Sequence, residues 1–387
     1  MSPIMGKMCK LGLWDESIPG IEFDENGISN YAMMYQTLER AYPRGDVGKK
    51  EWENIVNKIK EKGQKKRYDC IIGISGGTDS SYLLHIAKEY KLRPLAVNIN
   101  DGCNSDIAMK NIEIMTKQLD IKLESYIIDQ REINDLFRSY LLSCLPWIDM
   151  PSDIAIKSVL YKIAQREGVK YILRGNDFRS EGSQPKEWTY GDGRQLISIH
   201  NKYGRVQLKT YSNLNLLSLF YYVVINKIKN IYPFYYLEYN KHKAQLFLQE
   251  RYGWQYYGGH HYENIFTKFV LVYWLYEKFH IDKRKITYSA QIMSGEITKE
   301  YALEQINNKP YDEEELEEMM NYVLKKLDIT PKEFDKVISA PNKSYRDYPS
   351  YNSLFTKIYK YGKPILKYGL IHKPQSLYQA EMRNYKL

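Results

Sequence analysis

Ser75-Gly76-Gly77-Thr78-Asp79-Ser80-Ser81 is the stretch that decides the fold of this chain. Ahead of it runs Tyr68-Asp69-Cys70-Ile71-Ile72-Gly73-Ile74, an isoleucine-rich apolar run that reads as a buried parallel strand. Behind it, Ser80 to Tyr90 carries apolar residues at helical spacing. Strand, glycine turn and helix together aim unpaired backbone N–H groups and a helix N-terminus at one point. Such a point favours an anion, phosphate above all. Gly76 and Gly77 supply the backbone angles and the close approach, and Ser75 and Ser80 add hydroxyl donors. Asp79 supplies a carboxylate able to hold hydrated magnesium against phosphates.

The turn contains no lysine, so it is not the GxxxxGK[ST] loop of the Walker type, and it lacks the GxGxxG of dinucleotide folds. It resembles instead the PP-loop of ATP pyrophosphatases, SGGxDS after a strand. That resemblance implies ATP held by Ser75, Gly76, Gly77, Thr78, Asp79 and Ser80. It also implies cleavage between the α and β phosphates, and an adenylated oxygen from which a nucleophile displaces AMP.

Working outward, Pro94 to Ile99 reads as a second strand ending in Asn100-Asp101-Gly102, Asp106 to Leu119 as its crossover helix, and Leu123 to Ile128 as a third strand. Ligands of such sheets sit at the carboxyl ends of strands, so Asn98 to Asp101 are expected near the adenosine. Ser152 to Gly168 reads as a helix capped by Ser152, and Val169 to Leu173 as a strand. The strand runs into Arg174-Gly175-Asn176-Asp177-Phe178-Arg179-Ser180-Glu181-Gly182. This loop resembles the one that completes the ATP–magnesium site in ammonia-using PP-loop synthetases. The likeness implies Glu181 as metal or catalytic carboxylate, with Gly175 and Asn176 beside the nucleotide. A solvated turn with a helix-capping glutamate is the plainer alternative.

Beyond Leu214 periodicity becomes helical and strands are expected to cease. The reading is α/β: an N-terminal appendage over 1–66, a Rossmann-like, adenine nucleotide alpha hydrolase-like domain over 67–213, and a mainly helical substrate or partner domain over 214–387. In the last, Gly253-Trp254-Gln255-Tyr256-Tyr257-Gly258-Gly259-His260-His261-Tyr262-Glu263-Asn264 gathers glycines, two histidines and a carboxylate, and helical spacing puts His261 and Lys268 on one face.

The whole chain has 387 residues, 43% hydrophobic and 27% charged, with net charge +9. That composition describes a folded protein with a sizeable core and a preference for anionic partners. No apolar run approaches bilayer-spanning length and no signal peptide is evident, so a cytoplasmic enzyme is expected, with docking on a membrane surface left open. The four cysteines, Cys9, Cys70, Cys103 and Cys144, form no C-x-x-C pair. Tyrosine outnumbers phenylalanine 37 to 11, a bias that keeps tyrosine clusters from being read as base-stacking platforms.

Over nearly its whole length the chain resembles the N-acetyl sugar amidotransferases of bacterial surface-polysaccharide and lipopolysaccharide (O-antigen) biosynthesis. The features that carry the likeness are GIEFDENG, SGGTDSS, the run from Gly175 to Trp188, GWQYYGG with HHYENIFTKF, IDKRK, and SGEITKEYAL from Ser294 to Leu303. It implies an ATP-dependent ligase that adenylates the carbonyl oxygen of a sugar N-acetyl group and replaces it with ammonia, giving an acetamidino sugar. His261 and Glu263 would then handle protons beside Asp79 and Glu181. His260, His261, Lys268, Lys283 and Arg284 would contact the nucleotide-linked sugar, the two neighbouring cations gripping its diphosphate. The family's paired N-terminal cysteines are reduced to Cys9, with Gly12, Ser29 and Ala32 where partners belong, so no zinc is expected, and His260 replaces a family lysine.

No cysteine stands at residue 1 or 2, and Cys103 lies in a loop rather than a nucleophile elbow. The chain is therefore expected to lack glutaminase activity, and the resemblance implies ammonia from a separate HisH-like glutaminase with a HisF-like barrel subunit. Two readings from other classes stay open. One is a tRNA-thiolating or lysinylating PP-loop enzyme. Interleaved charges, including the acidic Asp312 to Glu318, argue against it, so no nucleic acid is expected. The other is a non-catalytic nucleotide-binding subunit, which the presence of both Asp79 and Glu181 disfavours.

Overall fold

A computed structural model describes residues 6–259, 261–354 and 357. Five strands form one parallel sheet: β1 (Cys70–Gly73), β2 (Pro94–Asn100), β3 (Leu123–Ile127), β4 (Tyr171–Leu173) and β5 (Lys229–Ile231), in the order β3-β2-β1-β4-β5. β1 is central and its first three residues are buried, as the apolar run requires when helices cover both faces of a sheet. The chain leaves β1 towards β2 on one side and later returns to β4 on the other. The crevice at the carboxyl ends of β1 and β4 is therefore the topological switch point, where ligands of open α/β sheets bind.

The helices flanking the sheet match their expected positions closely, Thr78–Glu89 after β1 and Asp106–Gln118 after β2. Two expectations are corrected. Strands do not cease at 214, because β5 pairs in parallel with β4 from Lys229, so the sheet draws on both sides of the boundary placed at 213. The helix before β4 begins at Met150 with Asp149 preceding it, and Ser152 lies in its first turn rather than at its cap. Pro151 explains the earlier start, since proline's fixed φ suits a first helical turn and its missing N–H is not needed there.

The N-terminal segment is no loose appendage. Trp14, Tyr31, Leu38, Trp52 and Ile59 are buried in the same apolar core as Ile72 of β1 and Trp274 of the C-terminal helices. Leu13 N–H donates to Ser289 Oγ at 2.7 Å and Lys285 Nζ donates to Asp15 Oδ2 at 2.6 Å, across some 270 residues of chain. A second core on the opposite sheet face joins Ile71, Leu95, Val97 and Ile172 to the helix Met150–Arg166. Among the described residues no helix is long and apolar enough to cross a membrane.

Candidate active site

The loop after β1 is pinned from outside by the C-terminal part of the chain. Gly76 has φ +81°, and a Cβ built there would lie 2.2 Å from the Ala108 carbonyl oxygen, so only glycine fits without a shift of backbone. The Gly76 carbonyl accepts from Trp254 Nε1 at 3.0 Å and Asn111 Nδ2 at 3.2 Å. Thr78 N–H donates to the Tyr257 hydroxyl at 3.1 Å. Inside the turn, Gly77 N–H donates to Ser75 Oγ and Ser75 N–H to Ser80 Oγ, both at 3.3 Å. The Trp254–Tyr257 block thus shapes the phosphate-type turn.

The helix Thr78–Glu89 starts at this turn and carries Asp79 in its first turn. Asp79 accepts from the Tyr239 hydroxyl and, at 2.8 Å, from Lys241 Nζ. Burial alone would pull the Lys241 ammonium down, but the charge of Asp79, followed by Tyr257 and Glu181, outweighs it and keeps the group protonated. Gly175, after β4, lets the loops touch: a Cβ there would stand 3.0 Å from the Asp79 carbonyl. Glu181 follows on a single short turn of helix and accepts from Asn176 Nδ2 at 3.1 Å. Burial, then the neighbouring Asp79 charge, raises the Glu181 carboxyl above its usual range.

His261 and Glu263 close the other side. His261 has φ +63°, and its Nδ1 lies 3.6 Å from Glu263 Oε1, an ion-pair separation rather than a hydrogen bond. The His261 side chain is about a third exposed at 36%, so this pair is partly screened by water. Burial would lower the His261 pKa, but Glu263 and then Glu181 outweigh it and raise it; Glu263 is held below its usual range by His261 despite its own burial. Ser75 Oγ donates to Glu263 Oε1 at 3.2 Å, tying the pair to the loop. Glu263 Oε2 is buried and has no hydrogen-bond partner among the described residues.

These groups line one cleft of about 340 Å³. Ser75, Gly77, Asp79, Ser80, Gly175, Asn176, Glu181, His261, Glu263 and Lys283 all face it, as does Asp101 just past the end of β2, together with Asp149 and Asp153, which no sequence motif marks. Lys283 stands over the Trp147 ring at 4.1 Å, and burial lowers its pKa to about 8 against the opposing pull of Asp153, Glu181 and Asp149. Gly76 and Thr78 brace the loop from behind. Three expected contacts are not delivered to the cleft. Asn98 is buried and donates to the Ile74 carbonyl at 3.0 Å, because its side chain points beneath the loop rather than out of the sheet end. Lys268 turns to Glu315 and the Tyr262 ring, so it does not share a working face with His261. Arg284 is spent on Asp282 at 2.7 Å and on the carbonyls of Gln305 and Asn308. His260 lies outside the described residues.

Lys241 and Tyr239 were not legible as site residues. Their partner Asp79 lies about 160 residues away, and nothing in Glu238-Tyr239-Asn240-Lys241 marks this lysine from its neighbours. The lining holds six carboxylates, Asp79, Asp101, Asp149, Asp153, Glu181 and Glu263, against Arg174, Lys283 and His261. Lys241 offsets Asp79, and burial, then Asp153, pushes the Asp149 carboxyl well up, so fewer than six of these groups present unbalanced negative charge to an entering polyphosphate, and a cation arriving with it would offset those that do. Among the described residues no three His, Cys, Asp or Glu side chains form a ready cage.

Residues 263–363 match the family model described as LPS biosynthesis protein WbpG-like, C-terminal domain, which begins at the site residue Glu263. The uncharacterized protein MJ1599 of Methanocaldococcus jannaschii is 30% identical over 156 residues, which is 40% of this chain and 54% of that protein. The chain thus spans about half the length of that curated relative. Among solved structures, the U34-tRNA thiolase NcsA from Methanococcus maripaludis aligns at 12% identity and TM-score 0.30, over 78% of this chain and 89% of its own. NMN synthetase from Francisella tularensis aligns at 16% identity and TM-score 0.31, over 73% and 96%. The chain is a parallel-sheet α/β protein whose residues 263–363 are similar to the C-terminal domain of WbpG-like LPS biosynthesis proteins.

Proposed function

We propose that this chain is an ATP-dependent, AMP- and pyrophosphate-forming amidotransferase. It would convert the acetamido group of a nucleotide-linked N-acetyl sugar into an acetamidino group during lipopolysaccharide (O-antigen) synthesis. The observation that carries the reading is the meeting of two parts in one cleft. The glycine turn with Asp79 and Glu181 stands on the sheet domain, and Glu263 and Lys283 belong to the WbpG-like segment.

In this reading the turn amides and the helix N-terminus at Thr78 hold the ATP phosphates. Asp79 and Glu181 would hold magnesium, which neutralises charge on the departing pyrophosphate. The amide oxygen attacks the α phosphorus and pyrophosphate leaves; ammonia then adds to the acetamido carbon, and AMP departs with that oxygen. His261, paired with Glu263, takes a proton from the incoming nitrogen. Lys283 faces the sugar side of the cleft as a cation for its phosphates.

Ammonia would come from a separate glutaminase subunit. Cys103 supports this assignment, since it is fully buried and burial, then Asp101, pushes its thiol well up, the opposite of an activated nucleophile. The test is a product assay by mass spectrometry with ATP, magnesium, ammonium and a panel of nucleotide-linked N-acetyl sugars. We expect AMP and a product with NH in place of O for one sugar. Turnover on tRNA with none on any sugar would overturn the reading.

A further inference from the structure

The α-helix Leu216–Phe220 continues as a π-helical turn, Tyr221–Ile225, and this segment leading into β5 is apolar on both sides. Its inner side is accounted for. Leu219, Tyr222 and Val223 pack on the sheet's second core, and Tyr222 stacks on Tyr161 with ring centroids 5.3 Å apart. Its outer side carries Leu217, Phe220, Tyr221, Val224 and Ile225, spaced i, i+3, i+4, i+7, i+8, and these are 81%, 54%, 44%, 50% and 58% exposed. Such a stripe ordinarily faces a core; here it faces solvent.

The helix is held firmly enough to present that stripe. Asn215 Oδ1 accepts from Ser218 N–H at 2.8 Å at the start, and Lys170 Nζ donates to the Asn226 carbonyl at 2.8 Å at the end. The same edge of the molecule is basic. Lys227 and Lys229 follow the stripe directly, and Lys58 of the helix Gly45–Gly63 is close enough for its charge, with that of Lys227, to depress the Lys229 ammonium beyond the effect of burial. An apolar stripe beside crowded lysines asks for a partner that is apolar in depth and anionic at its surface.

We propose that Leu216–Ile225 and the adjoining Lys58, Lys227 and Lys229 form a docking surface for an anionic lipid bilayer. The helix lies in the interface plane, with its outer apolar side chains among the acyl chains. The lysines reach the headgroups through flexible stems, where negative surface potential attracts them. A tyrosine on the stripe suits the same depth, one end apolar and the other wet. The inference is independent of the reaction proposed above.

The test is co-sedimentation of the full chain with vesicles of phosphatidylcholine alone and of equimolar phosphatidylcholine and phosphatidylglycerol. The chain is expected to sediment with the phosphatidylglycerol vesicles and to be released by high salt. The double variant Phe220→Glu/Val224→Glu should bind roughly tenfold or more weakly, and Lys58→Glu/Lys227→Glu should lose the preference for phosphatidylglycerol. All four positions are exposed, and an unchanged thermal melt would verify folding of each variant. Absence of sedimentation with either vesicle, or undiminished binding by the Phe220/Val224 variant, overturns the proposal. So does a chain that ignores vesicles but self-associates, or captures an acidic protein, through this stripe.

Discussion

Lys241 decides the electrostatics of the cleft although it lines up with no motif. It supplies a buried positive charge against Asp79 and, after the larger pull of His261, lowers the pKa that burial and Asp79 raise at Glu181. Lys241→Met should therefore cut kcat for AMP formation about 100-fold, since a preorganised charge beside the reacting phosphates is lost. It should also move the acidic limb of the pH profile upward. In the proposed reaction the working form of Glu181 is the carboxylate, present only above its raised pKa, and loss of a cation raises that pKa further. A profile that falls in height without moving would show that Lys241 does not tune Glu181. Lys283 gives a second prediction on the alkaline side. Its ammonium is lost as pH rises through about 8, so the KM for the nucleotide sugar should climb above that pH. In Lys283→Arg the climb should disappear, because arginine stays charged. An identical climb in both proteins would place the titrating group elsewhere.

At the scale of elements, the phosphate-type turn depends on a backbone that only glycine adopts and on a bracket supplied from far along the chain. Gly76→Ala would strain a positive φ and push a methyl into the Ala108 carbonyl. It should lower ATP affinity at least roughly tenfold, by calorimetric titration, because the N–H groups of the turn no longer converge. Affinity unchanged would mean the turn does not hold the nucleotide. Legibility followed the same division. β1, β2 and the turn could be read because continuous apolar runs and paired glycines are local signals. β5 could not, since Lys229-Asn230-Ile231 has neither an apolar run nor an alternation long enough to register. The reach of Trp254 and Tyr257 onto Gly76 and Thr78 spans nearly 180 residues and leaves no periodic trace. Lys268 and Arg284 misled because a helical face or a basic pair says nothing of the carboxylates that fold up beside it, Glu315 and Asp282.

At the scale of the molecule, the N-terminal segment is clasped to the helix Arg284–Met293 rather than strung out from it. The Asp15–Lys285 pair is almost wholly buried, with side chains 0% and 7% exposed, and Lys285 also donates to Ser17 Oγ at 3.1 Å. Lys285→Met leaves a buried carboxylate uncompensated and should cost about 3–5 kcal/mol in urea denaturation. The double variant Asp15→Leu/Lys285→Met should recover much of that loss, which a simple packing defect would not do. Because residues 263–363 match the WbpG-like domain and Asp79 stands on the sheet, the cleft exists only when both parts fold together. The decisive measurement follows the nucleotide itself, by phosphorus NMR of the products formed from ATP with magnesium, ammonium and the accepted sugar. AMP and pyrophosphate, formed only in the presence of the sugar and abolished by Asp79→Asn, are the predicted result. ADP and phosphate would contradict the account.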